Sequence, residues 1–234
     1  MCVVGRRQVS DRATDHRVMR KESPLARAGR AAQRAVGGRR PRACSPAIVV
    51  PAGSPDRLCR TLSERIPRMG RHHRAVAALA GTLARHIGLR GEELHAVVRA
   101  AELHDVGKIL VPDEILDKPG RLSAHELELM RRHAIAGWLI LHESAEPEAI
   151  ARLVRSSHER WDRTGYPDGL RAEEIPLGAR IITICDAYDA MTHERPYRPA
   201  RTAAEALEEL RRGAGVRYDP TLVAVFVSTV APPP

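Results

Sequence analysis

Apolar positions fall into register only beyond about residue 60. Val76, Leu79, Ala80, Leu83 and Ile87 recur at the spacing of one helical face, and Gly88 ends the run. Leu94, Val97, Val98 and Ala101 predict a second helix leading into His104–Asp105, with Pro112, Pro119 and Gly120 marking the loop beyond. Ser123 and Glu126 have the spacing of a capping box, predicting a third helix with Leu127, Met130, Ala134, Trp138 and Leu141 on one face. A shorter helix is expected from Pro147 through Val154. Gly165, Pro167, Gly169, Pro176 and Gly178 break residues 159–178 into an irregular loop. Ala179–Met191 reads as a strongly apolar helix, Thr202 with Glu205 caps another, and Asp219–Pro220 opens the last. There is no hairpin signal and no internal repeat. The pattern predicts an all-α bundle with one long loop near its middle.

Composition supports helices over sheets. Hydrophobic residues make up 43% of the 234 but aromatics only 3%, so the core must be built from Leu, Ile, Val and Ala. Residues 1–50 carry 12 Arg/Lys against 3 Asp/Glu, whereas the remaining chain carries 26 of each, so the formal charge of +9 resides in the N-terminal stretch. Residues 1–55, rich in Arg, Ala, Gly and Pro, are read as a disordered basic segment, and 56–234 as the folded domain. Without aromatic stacking groups, that arm reads as a solvated extension rather than a nucleic-acid arm. No run is long and apolar enough for a membrane span, and the start lacks a signal-peptide pattern. Cys2, Cys44, Cys59 and Cys185 are scattered, which suits a reducing cytoplasm.

The chemistry-bearing residues lie on successive predicted elements: His72, then His104–Asp105 with Gly107 and Lys108, then His133, then His158, then Asp186 and Asp189. Imidazoles and carboxylates are the ligands that borderline divalent metals prefer. Asp186 sits among Ile181, Ile182, Ile184 and Cys185, where a carboxylate is costly unless paired or bound to a cation. A lone histidine on an apolar face is more often structural, so the conjunction carries the weight. His73 is expected to be solvated. His86, His95, His125, His142 and His193 have no spacing partners and are expected to be structural.

These residues carry a resemblance. His104-Asp105-Val106-Gly107-Lys108, Val111-Pro112-Asp113-Glu114-Ile115-Leu116 and Lys118-Pro119-Gly120 are similar to the core of the HD-GYP family. His133 with Gly137 resembles its HxxxG element, and His158-Glu159 through Tyr166-Pro167-Asp168-Gly169-Leu170 its signature loop. Ala187 to Thr192 and Arg195-Pro196-Tyr197-Arg198 are similar to the segment that follows. The resemblance covers about residues 65–230 and implies an HD-domain helical bundle hydrolysing cyclic di-GMP to pGpG or GMP. It implies two divalent ions, Fe or Mn ahead of Zn or Ni. His72, His104, Asp105 and Asp186 would form the shared ligand core, with His133 and His158 serving the second ion and Asp105 bridging. A hydroxide activated by the two ions would be the nucleophile. Lys108 would offset phosphate charge, held by Asp189. Tyr166, Arg195 and Arg198 would contact the nucleotide. A signalling protein is a possible further partner, and no nucleic acid is expected for the domain.

Three positions depart from the pattern. Ser157 stands where the family has the first of two histidines. Arg163 replaces a glycine, which threatens a positive-φ position in the loop. Arg68 stands where some members carry a third-metal Glu, so no third site is expected. Three readings therefore stay open: an active phosphodiesterase, a weakened dinucleotide receptor or partner-docking module, and an HD phosphohydrolase acting on another nucleotide.

Overall fold

The computed structural model describes residues 53–144, 146–194 and 199–230. The proposed N-terminal segment, apart from its last three residues, lies outside the described residues, as do Arg195 and Arg198. Ten α-helices are found among the described residues: α1 (Pro55–Arg65), α2 (Pro67–His86), α3 (Gly91–Leu103), α4 (Asp113–Leu116), α5 (Ala124–Arg131), α6 (His133–Glu143), α7 (Glu148–Ser156), α8 (Leu177–Thr192), α9 (Ala203–Gly213) and α10 (Pro220–Val230). Short 3₁₀ turns at Val106–Leu110 and Ala172–Glu174 complete the set.

The caps behave as their side chains dictate. Ser123 and Glu126 close a reciprocal capping box on α5, and Thr202 and Glu205 close one on α9. Asp219 Oδ1 accepts from the backbone N–H groups of Thr221 and Leu222 at the start of α10. Gly88 takes φ +90 just beyond α2, the left-handed geometry that ends a helix at low cost. Three differences from expectation appear, the first being α4, which falls where the sequence predicts loop. The single helix predicted from Ser123 to Leu141 is two, α5 and α6, meeting at Arg132. Helix α1 has no counterpart in the apolar register and is capped by Ser54.

The core is aliphatic. Val76, Ala80 and Leu83 of α2 pack with Val97 and Ala101 of α3, Ile181, Ile182 and Ile184 of α8, and Ile150, Leu153 and Val154 of α7. Helix α8 thus runs through the centre, with α2 and α3 against it. Gly178 permits this close approach, because a Cβ there would lie 2.7 Å from Leu153 Cδ1 and 2.9 Å from Val97 Cγ2. A smaller cluster of Leu62, Ile66 and Met69, flanked by Ile109 and Leu116, ties α1 to the turn after α3. Arg65 reinforces that tie by donating to the carbonyls of Ile109 (3.0 Å) and Val111 (2.8 Å).

Candidate metal centre

Helix α3 ends at Leu103, and His104 and Asp105 occupy the exit, leading into the 3₁₀ turn. That turn lies directly against α6. A Cβ on Gly107 would overlap the His133 carbonyl and sit 2.5 Å from Gly137 N, so only glycine allows the approach. Gly137 has similar limits, with Val154 Cγ1 3.1 Å from a Cβ built there. The two glycines explain in steric terms why His104–Asp105 and His133 can share one site.

Two groups of potential metal donors result: His72, His104 and Asp186, and Asp105, His133 and His158. Within each group the ligand atoms lie within 4.8 Å of one another. Asp105 touches both, with Oδ2 3.4 Å from His104 Nε2, and Oδ1 3.4 Å from His133 Nε2 and 3.8 Å from His158 Nε2. His72 Nε2 lies 3.2 Å from Asp186 Oδ1.

The histidines are oriented from behind. The Nδ1 of His104 faces the Ala101 carbonyl at 2.8 Å, that of His133 the Met130 carbonyl at 2.6 Å, and that of His72 Asp189 Oδ2 at 2.6 Å. An N–H spent on such an acceptor leaves the Nε2 lone pair pointing into the site, the arrangement that prepares a histidine for a metal. His104 Nε2 and Asp105 Oδ1 are buried without a hydrogen-bond partner, and His133 Nε2 meets His158 Nε2 at 2.8 Å. Buried acceptors left facing one another are costly unless a proton or a cation lies between them. The donor set therefore fits divalent metal.

Electrostatics agree. Burial is the main cause that pushes the pKa of His133 down to about 4 and that of His158 to about 3, so both are neutral ligands near pH 7. Burial opposes ionisation of Asp105, but Lys108 and the surrounding histidines overcome it and hold the carboxyl well below its usual range. Asp186 is likewise lowered, against burial, chiefly by its hydrogen bond to His72. Burial alone would lower the pKa of His72, yet Asp186 and Asp189 raise it to about 9. A positive charge is thus favoured between these carboxylates, whether a proton or a metal supplies it.

The first group opens into a cavity of about 330 Å³, whose walls include Arg71, Lys108, Met69, Leu122, His193 and Glu194. Lys108 Nζ lies 2.6 Å from Asp105 Oδ2. Asp189, expected to hold Lys108, instead joins two imidazoles: Oδ2 meets His72 and Oδ1 lies 3.1 Å from His193 Nδ1.

The loop after His158 is anchored by Glu159, which is 1% exposed. Its carboxylate accepts from the backbone N–H groups of Asp168 (2.7 Å), Gly169 (3.0 Å) and Leu170 (3.0 Å). Arg155 pairs with both oxygens of Asp168 at 2.7 Å and stands over the Trp138 ring. The fold returns Tyr166 onto His158, with ring centroids 5.1 Å apart and planes 13° from parallel. Tyr166 therefore borders the second group rather than the cavity walls. Arg163 takes φ +75, a left-handed conformation that a non-glycine residue adopts at a cost of order 1–2 kcal/mol.

Several side chains lie where the sequence pattern does not place them. His73, expected to be solvated, is 5% exposed, packed beside His72 and His104, with burial lowering its pKa to about 3. The helical face containing Val76 and Leu83 brings it inside. His193, expected to be structural and partnerless, joins the cavity wall; its four-residue spacing from Asp189 was the available signal. Glu159 was missed as a loop anchor. Ser157 Oγ donates to the Val154 carbonyl at 2.8 Å and belongs to neither donor group.

The HD domain family profile matches residues 57–222. Over 159 residues the chain is 39% identical to a cyclic di-GMP phosphodiesterase of Thermotoga maritima, covering 67% of this chain and 43% of that protein. Over 172 residues it is 35% identical to 3′3′-cGAMP-specific phosphodiesterase 2 of Vibrio cholerae, covering 73% of this chain and 33% of that protein. The chain thus spans less than half the length of these relatives. In structure it is similar to the HD domain of the phosphodiesterase PgpH of L. monocytogenes, with a TM-score of 0.53 and 19% identity, covering 74% of this chain and 94% of that one. That likeness supports the fold. With the HD turn packed by Gly107 against His133, two donor groups around Asp105, and a family match spanning nearly all the described helices, the chain belongs to the HD domain family as one of its HD-GYP members.

Proposed function

We propose that this chain is a metal-dependent phosphodiesterase that hydrolyses cyclic di-GMP to pGpG or GMP. The observation that carries the reading is the pair of donor groups meeting at Asp105, which belongs to the second and lies 3.4 Å from His104 of the first, beside a cavity of about 330 Å³. His72, His104 and Asp186 would hold one divalent ion and His133 and His158 a second, with Asp105 between them. Fe or Mn suits this nitrogen and oxygen set, with Zn and Ni as further candidates. Ions bound there would supply Lewis-acid activation of water near neutral pH and neutralise phosphate charge.

The chain's own groups supply the rest. Lys108 projects its ammonium beside Asp105 on the cavity wall and would offset charge growing on the phosphate. Asp189 fixes the ring of His72. Arg195 and Arg198, outside the described residues, would hold phosphate through their guanidinium forks, and Tyr166 would contact the nucleotide. Among the described residues no helix is long and apolar enough to cross a membrane, and the scattered cysteines suit the cytoplasm as the place of the reaction. A signalling protein is proposed as a further partner, and nucleic acid is not.

A second reading is favoured by Ser157. With its hydroxyl committed to the Val154 carbonyl, the second group offers three protein donors, so the protein could act as a receptor with a weakened site. The test is metal analysis of the purified protein, with chromatography of products from cyclic di-GMP under Mn or Fe(II). Asp105→Ala should lose both metal and hydrolysis. Retention of full metal content by that variant would remove Asp105 as the shared ligand, and binding without turnover by the wild type would favour the receptor.

A further inference from the structure

The cations on the cavity wall are not equivalent. Lys108 is paired with Asp105, and Lys118 places its ammonium 2.8 and 2.6 Å from the two carboxylate oxygens of Glu126. Arg71 lines the same cavity and has no hydrogen-bond or ion-pair partner among the described residues. The residue after it is His72, so α2 holds its backbone in fixed relation to the first donor group. Glu194, the other charged wall residue without such a partner, is an acid and cannot take an anion.

A cyclic dinucleotide carries two phosphodiesters on opposite sides of one ring. If one lies at the metal centre, the other must be carried elsewhere, and its charge needs a cation not already neutralised. Among the described cations of this wall, Lys108 and Lys118 have carboxylate partners and Arg71 does not, while Arg195 and Arg198 lie outside the described residues. A guanidinium can donate two parallel N–H bonds to the two free oxygens of a phosphodiester.

We propose that Arg71 is a substrate-binding residue that holds the phosphodiester not being cleaved, so that the cavity selects substrates with two phosphates. This rests on the phosphodiesterase reading and adds a selectivity that the metal centre alone would not give. A diester with one phosphate would use the metal centre and leave Arg71 idle.

The experiment compares kcat/KM for cyclic di-GMP and for bis(p-nitrophenyl) phosphate in the full-length wild type, Arg71→Ala and Arg71→Lys, all loaded with Mn. The loss of a charge-assisted contact should lower the ratio of the two values about 10- to 100-fold in Arg71→Ala, mainly through KM for the dinucleotide. Arg71→Lys should recover part of the ratio. An unchanged ratio, including an equal fall on both substrates, overturns the proposal. Should the wild type bind cyclic di-GMP without hydrolysing it, the hydrolytic reading fails separately. Calorimetric binding then decides on Arg71: a weaker Kd for Arg71→Ala supports it, and an equal Kd or absent wild-type binding overturns it.

Discussion

Residue by residue, the centre depends on where each polar atom is spent. Ser157 is the clearest case. Its Oγ is used on the Val154 carbonyl, and its own carbonyl accepts from Thr183 Oγ1 at 2.8 Å, so the α7 end is tied to α8. Ser157→His would bring an imidazole next to a group already holding Asp105, His133 and His158. One added ligand or supporting change at a metal site alters affinity or activity by about tenfold to a hundredfold. The Mn concentration for half-maximal turnover should fall by such a factor in the variant. Coincident curves for the two proteins would put residue 157 outside the metal shell.

At the level of elements, the long loop is a clamp rather than a free excursion. Glu159 gathers three backbone N–H groups that the turn at 168–170 cannot satisfy internally. Burial raises the pKa of this carboxyl, and the same three backbone donors oppose that rise. Glu159→Gln keeps one acceptor oxygen and turns an NH₂ toward a backbone donor. A lost charged acceptor of this kind costs about 1–3 kcal/mol. Amide exchange at 168–170 should accelerate and the urea midpoint should fall; unchanged exchange there would remove Glu159 as the anchor. Tyr166, carried on the same loop, should lose its stacking against His158 along with it.

Across the whole molecule, helix α1 marks where the domain begins to matter. Leu58 and Leu62 are buried, and Arg65 reaches across to the backbone just past the HD turn. Deletion of residues 1–52 is expected to leave Tm and metal content unchanged. Deletion through residue 66 removes the buried Leu58, Leu62 and Ile66, each contributing about 1.5–3 kcal/mol, and should lower Tm by at least about 10 °C. Thermal melts and metal analysis of the two truncations distinguish these outcomes. A large loss from the shorter deletion would show that the basic segment supports the fold.

The helices over 67–86, 91–103, 148–156, 177–192, 203–213 and 220–230, both capping boxes and the order of His72, His104, Asp105, His133, His158 and Asp186 were legible in the sequence, because helical period, cap spacing and metal-ligand chemistry are local or compositional, whereas α1 and α4 were not. So was the glycine at 107, although not its reason: the clash it avoids is with His133, far along the chain. The break at Arg132 was hidden, since an apolar stripe at helical spacing does not register a bend that tertiary packing imposes. His73 was misread because burial depends on which side of α2 faces α3 and α8, and a neighbouring histidine carries no sign of that. Asp189 could be seen beside Asp186 in sequence, but only the packing of α2 on α8 sends its two oxygens to His72 and His193 instead of to Lys108. A carboxylate's partner is set by which donors the fold brings within about 3 Å, and that is a property of three dimensions.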